Sequence, residues 1–384
     1  MLFCADIIMK PTIDVVIPSF RLDEQYILPV LKLANPVNTA ITFYLIVDNP
    51  VIVIPTAIRE LADNKRVHIL INETNLGAAE TRNKGIATGT GDWILFLDDD
   101  IVVQDQLLFT YADAIEKYPG EIGFIGMIEL PEPVTDFTKA VKASGSMDVF
   151  GIAARKASFA WGATANIMVR RSAIADIRFS PEYPKSGGGE DLDFFLNIRE
   201  QNGYKDYKTL PGAIVQHPWW NNEKINFSRP FRYGRGNSRL GKLNLQYTYR
   251  DLLNTPETLL VSCIVLVIVL LLKPGWIVPV LLFIGGAVLI EFIASGIQTI
   301  KRSKSANLKM IVYVVMLRLA QEAGVLWEEL IRMEWWRIGE RFNDNGEINK
   351  RNIYRSNTYR IVKWILYPVL VWLILCAFKP VRGR

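Results

Sequence analysis

The sequence predicts an α/β catalytic domain built on a mostly parallel sheet, followed by a helical membrane region. Two observations predict it: from Ile13 to about Gly241 short β-rich runs alternate with helical patterns, and after Asp251 the composition turns abruptly apolar. A third agrees with both, because 384 residues at 50% hydrophobic content exceed what one soluble domain needs. The expected division is residues 1–245 for the catalytic domain and 246–384 for the membrane-associated region.

The first strands fall at Val15–Ile17, Phe43–Val47, Val67–Ile71 and Trp93–Leu97, and each stops where polar residues begin. In open α/β sheets ligands gather beyond the carboxyl ends of strands. Pro18-Ser19, Asp48-Asn49, Asn72 to Asn75 and Asp98-Asp99-Asp100 are therefore expected to share one crevice. The first ten residues lack a basic start followed by an apolar run, so the catalytic domain is expected to stay in the cytoplasm. Cys4, Cys263 and Cys376 are far apart and form no metal or disulfide framework, which suits a reducing compartment.

Downstream, transmembrane segments are expected at about 257–272, 277–297 and 361–378, the first two joined by the turn Lys273-Pro274-Gly275. Glu291 interrupts the second run. A basic stretch follows (Lys301, Arg302, Lys304, Lys309), as on the cytoplasmic side of a membrane, and Lys379, Arg382 and Arg384 close the chain. Residues 311–342 mix Arg and Glu with Leu, Val and Trp and read as an interfacial amphipathic helix, with Trp335-Trp336 at headgroup depth. The net charge of +5 argues weakly for a phosphate-bearing partner or an anionic surface, and there is no nucleic-acid motif.

Asp98-Asp99-Asp100 places three carboxylates at the tip of an apolar strand, and side-chain alternation sends Asp98 and Asp100 to one side. Like charges so placed repel unless a cation sits between them, and hard oxygen ligands suit Mg²⁺ or Mn²⁺; the bland account is an acidic turn before a helix. Gly187-Gly188-Gly189-Glu190-Asp191 opens a helical pattern, either as a fixed base beside a mobile loop or as a plain acidic helix start. Asn75 to Gly85 brings small residues, including Gly77, before Arg82 and Asn83, which fits close approach of a phosphate or an ordinary amphipathic helix. His217, in Gln216-His217-Pro218-Trp219-Trp220, is a metal ligand or a structural histidine, whereas His68 falls inside a strand and reads as packing. Arg229, Arg232, Arg235, Arg239 and Lys242 recur every three or four residues, as a solvated basic face or a phosphate-binding stripe.

Taken in order, Val15–Phe20, Val47-Asp48-Asn49, Asn75–Gly85, Phe96–Asp100, Trp161–Asn166 before Val169-Arg170-Arg171, and Gly189-Glu190-Asp191 resemble the family 2 glycosyltransferases. The resemblance covers about Ile13 to Gly241 and implies the GT-A fold, a Rossmann-like, mostly parallel sheet. It further implies an inverting transfer from a nucleoside-diphosphate sugar, with Asp191 as general base beside Glu190. Asp98 and Asp100, joined by His217 in some relatives, would hold Mn²⁺ or Mg²⁺. Pro18, Ser19, Asp48, Asn75, Gly77, Arg82, Asp98, Asp99 and Arg232 would contact the donor, and Trp161, Gly188 and Gly189 would line the acceptor loop. Two departures stand: Asn49 replaces the usual second aspartate, so base and sugar preference do not carry over, and Arg229-Pro230-Phe231-Arg232-Tyr233 replaces the QxxRW motif of processive members. The acceptor is expected to be a lipid-linked glycan or surface-polysaccharide precursor at the cytoplasmic membrane. The alternatives are a polyprenyl-phosphate glycosyl synthase, against which Glu190-Asp191 argues, and a silent nucleotide-binding membrane scaffold.

Overall fold

The computed structural model describes residues 10–350 and 353–378. Cys4 and the terminal charges Lys379, Arg382 and Arg384 lie outside them. The strands are β1 (Thr12–Ser19), β2 (Ala40–Val47), β3 (Val67–Ile71), β4 (Trp93–Leu97), β5 (Val102–Val103), β6 (Gly123–Glu129), β7 (Ser158–Phe159), β8 (Asn166–Arg170), β9 (Tyr207–Gln216), β10 (Thr248–Arg250) and β11 (Glu340–Phe342). The helices are α1 (Glu24–Leu31), α2 (Thr56–Arg59), α3 (Ala78–Thr88), α4 (Leu107–Lys117), α5 (Asp136–Ser144), α6 (Arg171–Ile174), α7 (Glu190–Gln201), α8 (Ser228–Leu243), α9 (Thr255–Leu272), α10 (Ile277–Ser303), α11 (Leu308–Ile331) and α12 (Thr358–Ala377).

The described chain divides into two compact units, residues 1–132 with 147–222, and residues 133–146 with 223–384. The first holds a sheet in the order β3-β2-β1-β4-β8-β6-β9-β5, with β7 on β9. Its β3-β2-β1-β4 half is parallel, so the carboxyl ends of these strands emerge along one edge, while β8 runs antiparallel between β4 and β6. This is the mostly parallel α/β sheet that the sequence predicts. Both faces are covered, and β4 is buried throughout, which is why Trp93–Leu97 is apolar without alternation.

An aromatic cluster ties the two ends of the site together. Phe194 and Phe195 of α7 are fully buried and pack edge-on against Phe96 of β4, while Phe179 stacks on Phe194 at 3.8 Å. Truncating such a ring to alanine costs about 3–5 kcal/mol. Because Phe96 lies two residues before Asp98, and Phe194 three after Asp191, this packing fixes both acidic stretches.

The second unit contains the apolar helices. Four helical stretches are long and apolar enough to cross a membrane by length and composition: Thr255–Leu272, Pro274–Ser303, Leu308–Ile331 and Thr358–Ala377. Asn254 and Glu257 form a capping box that starts α9 at Thr255, so Leu252 and Leu253 do not lengthen it. The helix expected over 311–342 ends at Ile331. Met333 takes a left-handed φ of +57°, and the Glu334 N–H closes on the Glu329 carbonyl at 2.8 Å. The chain then turns through Trp335–Arg337 into β11, which pairs with β10. Along α11 run α8 and α5 as well as α10. The α8–α11 crossing is so close that a Cβ on Gly234 would overlap the Gln321 carbonyl, and one on Gly324 that of Phe231.

Several buried charges in this unit are paired. Glu291 and Lys363, both fully buried, meet at 2.8 Å, and Thr255 and Tyr359 complete the knot. Glu328 receives Arg235, Arg239 and Arg332 at 2.7–2.8 Å, and Lys242 bonds Glu334 at 2.5 Å. Three of the five basic residues of the α8 stripe are thereby paired with carboxylates of this unit.

Candidate active site

The four strand ends converge. Ser19, after β1, donates its hydroxyl to Asp99 at 2.7 Å and accepts the Leu22 N–H. Asp48, after β2, is buried and accepts from Asn72 Nδ2, Leu76 N and Gly77 N, each at 2.8 Å. Its carboxylate thus fastens the loop between β3 and α3. Gly77 has a φ of +89°, and its Cα faces Lys185 so closely that a Cβ would sit 2.8 Å from the lysine Cβ. Asn75 is exposed, and its carbonyl accepts the Lys185 ammonium at 3.1 Å. Pro18 pairs with Ile46 inside the sheet and positions Ser19.

Arg82, on the second turn of α3, is buried and bridges the two acidic stretches. Its Nη2 reaches Asp98 Oδ1 at 3.0 Å and its Nη1 lies 3.5 Å from Glu190 Oε1. Among the described residues Nε and Nη1 have no hydrogen-bond acceptor. Glu190 is buried, and its Oε2 accepts the Gly188 N–H at 2.7 Å. Gly187, Gly188 and Gly189 hold φ of +86°, +139° and +108°, a run of positive φ that only glycine adopts without strain. Asp191 is part-buried, and its Oδ1 accepts the Leu192 N–H. Burial raises the Asp191 carboxyl to about 7, with the Glu190 charge adding to the effect, Arg82 opposing it and Asp98 adding further. Burial likewise raises Asp98, against the pull of Arg82.

Asp98, Asp100 and His217 offer ligand atoms that all lie within 4.8 Å of one another. His217 Nδ1 stands 2.7 Å from the Pro218 carbonyl, which only accepts, so Nδ1 carries the proton. Its Nε2 stands 3.4 Å from Asp100 Oδ1. Two carboxylates and an imidazole whose other nitrogen is fixed suit Mn²⁺ or Mg²⁺, and the site fits such an ion.

The sequence reading missed Arg21. Its Nη2 bonds Asp99 Oδ1 at 3.1 Å and Asp100 Oδ2 at 2.8 Å, although the side chain is 60% exposed. A basic residue within three of Pro18-Ser19 was the only available signal. Asn72 and Lys84 were also missed as the pair that steadies Asp48; Lys84 Nζ reaches Asn72 Oδ1 at 2.9 Å. Trp161 is buried between β7 and β8. Arg232 lies on α8 of the second unit, its guanidinium 5.9 Å from the Tyr233 ring centre. His68 stacks on Tyr44, as packing requires.

Residues 14–177 match the family model for glycosyl transferase family 2. An uncharacterized glycosyltransferase of Haemophilus influenzae is 48% identical over 59 residues, which is 15% of this chain and 20% of the relative. The chain thus aligns with about a fifth of that relative's length. Among solved structures, S. aureus TarS 1–349 with UDP is similar at a TM-score of 0.42 and 15% identity, covering 84% of this chain and 92% of the other. The mannosyltransferase PcManGT from Pyrobaculum calidifontis, in complex with GDP-Man and Mn²⁺, is similar at 0.49 and 14%, covering 83% and 88%.

Proposed function

From the premise that the chain carries a glycosyltransferase family 2 domain across residues 14–177, we propose that it moves a sugar from a nucleoside-diphosphate sugar to an acceptor hydroxyl with inversion at the anomeric carbon. One observation carries the reading: two acidic stretches far apart in sequence, Asp98–Asp100 and Glu190-Asp191, meet around the single buried guanidinium of Arg82. One buried positive charge and the exposed Arg21 leave the carboxylates undercompensated, as a site for a cation and a diphosphate requires.

In this reading Asp48 accepts from the nucleobase with its remaining lone pair while holding residues 72–77 against the donor. Ser19, Asn75, Gly77 and Asp99 shape the same wall, Arg82 meets phosphate oxygens, and Trp161, Gly188 and Gly189 border the acceptor. Asp98, Asp100 and His217 would hold Mn²⁺ or Mg²⁺, which would supply neutralisation of the diphosphate charge. Asp191 takes the proton of the acceptor hydroxyl as its oxygen bonds to the anomeric carbon; the bond from that carbon to the diphosphate breaks, and the nucleoside diphosphate leaves with the electron pair. A carboxyl raised to about 7 is an effective base near neutral pH.

The apolar helices α9, α10 and α12 anchor the chain, with α11 along the interface, since α11 packs on the arginine-rich α8 and on α5. The exposed basic stretch Lys301, Arg302, Lys304 and Lys309 supports a catalytic domain on the cytoplasmic side. Anchoring favours a lipid-linked acceptor delivered within the membrane plane. The test is a thermal-shift screen of nucleotide sugars with Mn²⁺, followed by acceptor addition to the stabilising donor. Release of nucleoside diphosphate upon acceptor addition supports transfer; binding without release would reduce the chain to a scaffold.

A further inference from the structure

The second unit holds a polar cavity of about 250 Å³. At roughly 30 Å³ per water this is room for about eight waters, or for a sugar ring. The Asn254 cap of α9, Tyr359 and Arg360 at the start of α12, and Gln298 near the end of α10 line it, so it lies at one end of the apolar helices. Trp335 and Trp336, 65% and 71% exposed on the segment after α11, mark headgroup depth, because indole rings partition to that layer.

The charges around this cavity select its occupant. Arg341 is held by Glu257 at 2.5 Å, Arg337 by Glu334 at 3.1 Å and Glu340 at 2.6 Å, and Arg360 by Asp251. Arg318 bonds neutral Ser295 and Gln298, each at 2.8 Å. Glu322 and Glu329, 8% and 1% exposed, complete the wall. Three of the four arginines that line the cavity are thus held by carboxylates. Four buried atoms of the lining lack partners among the described residues: Glu322 Oε2 and Glu329 Oε2, and Arg341 Nε and Arg360 Nε, which need acceptors. Ammonium groups only donate and phosphates chiefly accept, whereas a hydroxyl does both. Tyr249, Tyr359 and Phe342 add rings against which the C–H face of a pyranose packs.

We propose that this cavity binds a neutral saccharide unit, separately from the donor site of the first unit. Hydroxyls donate to Glu322 and Glu329 and accept from Arg341 and Arg360. The sugar is the head of a glycolipid or a free glycan residue, two sources of one chemistry.

The full chain in phosphatidylcholine nanodiscs, free of sugar-headed detergent, tests this by saturation-transfer NMR with methyl β-glucoside, methyl α-mannoside and methyl N-acetylglucosaminide. At least one sugar should show transfer that survives Asp98→Asn with Asp100→Asn. Its affinity should fall about tenfold in Glu329→Gln, the loss of one hydrogen bond. Glu329→Gln is isosteric, so it should fold, and Gln321→Leu offers a second change to the lining. Competition by a glucosyl diacylglycerol in the nanodisc identifies a lipid-borne sugar, and its absence a free one; either supports the site. No transfer from any of the sugars would overturn the proposal, as would transfer untouched by both cavity variants. Binding of phosphoethanolamine or inorganic phosphate in place of sugar would overturn it equally.

Discussion

The two units bury charge in opposite ways. Around β4 and α7, Asp98, Asp100, Glu190 and Asp191 share one buried arginine and one exposed one. Among α8 to α12, Glu257, Glu291, Glu328 and Asp251 each have a dedicated basic partner. Desolvating a carboxylate is costly in either place, and a matched partner offsets the cost while removing the reactivity. Undercompensated carboxylates mark where the chain waits for a ligand's charge; matched pairs mark architecture.

The largest expected effect breaks the acidic side of this contrast. Asp98→Asn with Asp100→Asn should abolish transfer by a factor of roughly 10³ or more and remove any response to Mn²⁺, because each carboxylate supplies charge that no neighbour replaces. Isothermal titration with Mn²⁺ and initial rates in excess chelator check it; full wild-type activity in chelator would remove the metal from the account. On the architectural side, Lys363→Met should cost about 3–5 kcal/mol of stability by leaving Glu291 buried and alone. Adding Glu291→Leu should restore most of that loss, read as the denaturation midpoint of the full chain in detergent. Failure of the second change to rescue the first would mean that the pair carries more than architecture.

A smaller effect sharpens the boundary between the two kinds of site. Arg21 bonds Asp100 while 60% exposed, so it acts as a loose counter-ion and not as a matched partner. Arg21→Gln should tighten Mn²⁺ binding a few-fold in the absence of nucleotide, since a competing cation near the surface is worth about 1 kcal/mol or less. Unchanged or weaker Mn²⁺ binding would make Arg21 structural.

Much of the first unit was legible in its sequence. Apolar runs ending sharply in Ser19, Asp48, Asn72 and Asp98 gave both the strands and their meeting, because a buried parallel strand must stay apolar to its tip. Arg82 was read as a donor contact, but its bridge from Asp98 to Glu190 joins residues 92 positions apart and leaves no local pattern. Arg21 was hidden for the same reason. In the second unit Glu291 looked like a flaw in an apolar run, and Lys363 sat unremarked in another; their pairing is tertiary. The end of α11 at Ile331 depends on a left-handed Met333 and on β11 finding β10, neither of which helical periodicity encodes.

The central claim is that Asp191 is a base kept reactive by incomplete compensation. Its carboxyl, raised to about 7, is protonated below that pH and ionised above it, so turnover should climb with pH through about 7. A group raised above its unfolded value stabilises the fold at low pH and loses that contribution as pH rises through the folded value. Asp191→Asn should therefore gain more thermal stability at pH 8 than at pH 5. The decisive measurement is single-turnover transfer by Asp191→Asn at pH 8, with donor affinity measured on the same sample. The account predicts donor binding within a few-fold of wild type and transfer slower by about 10² to 10⁴. Transfer at near-normal rate would contradict it.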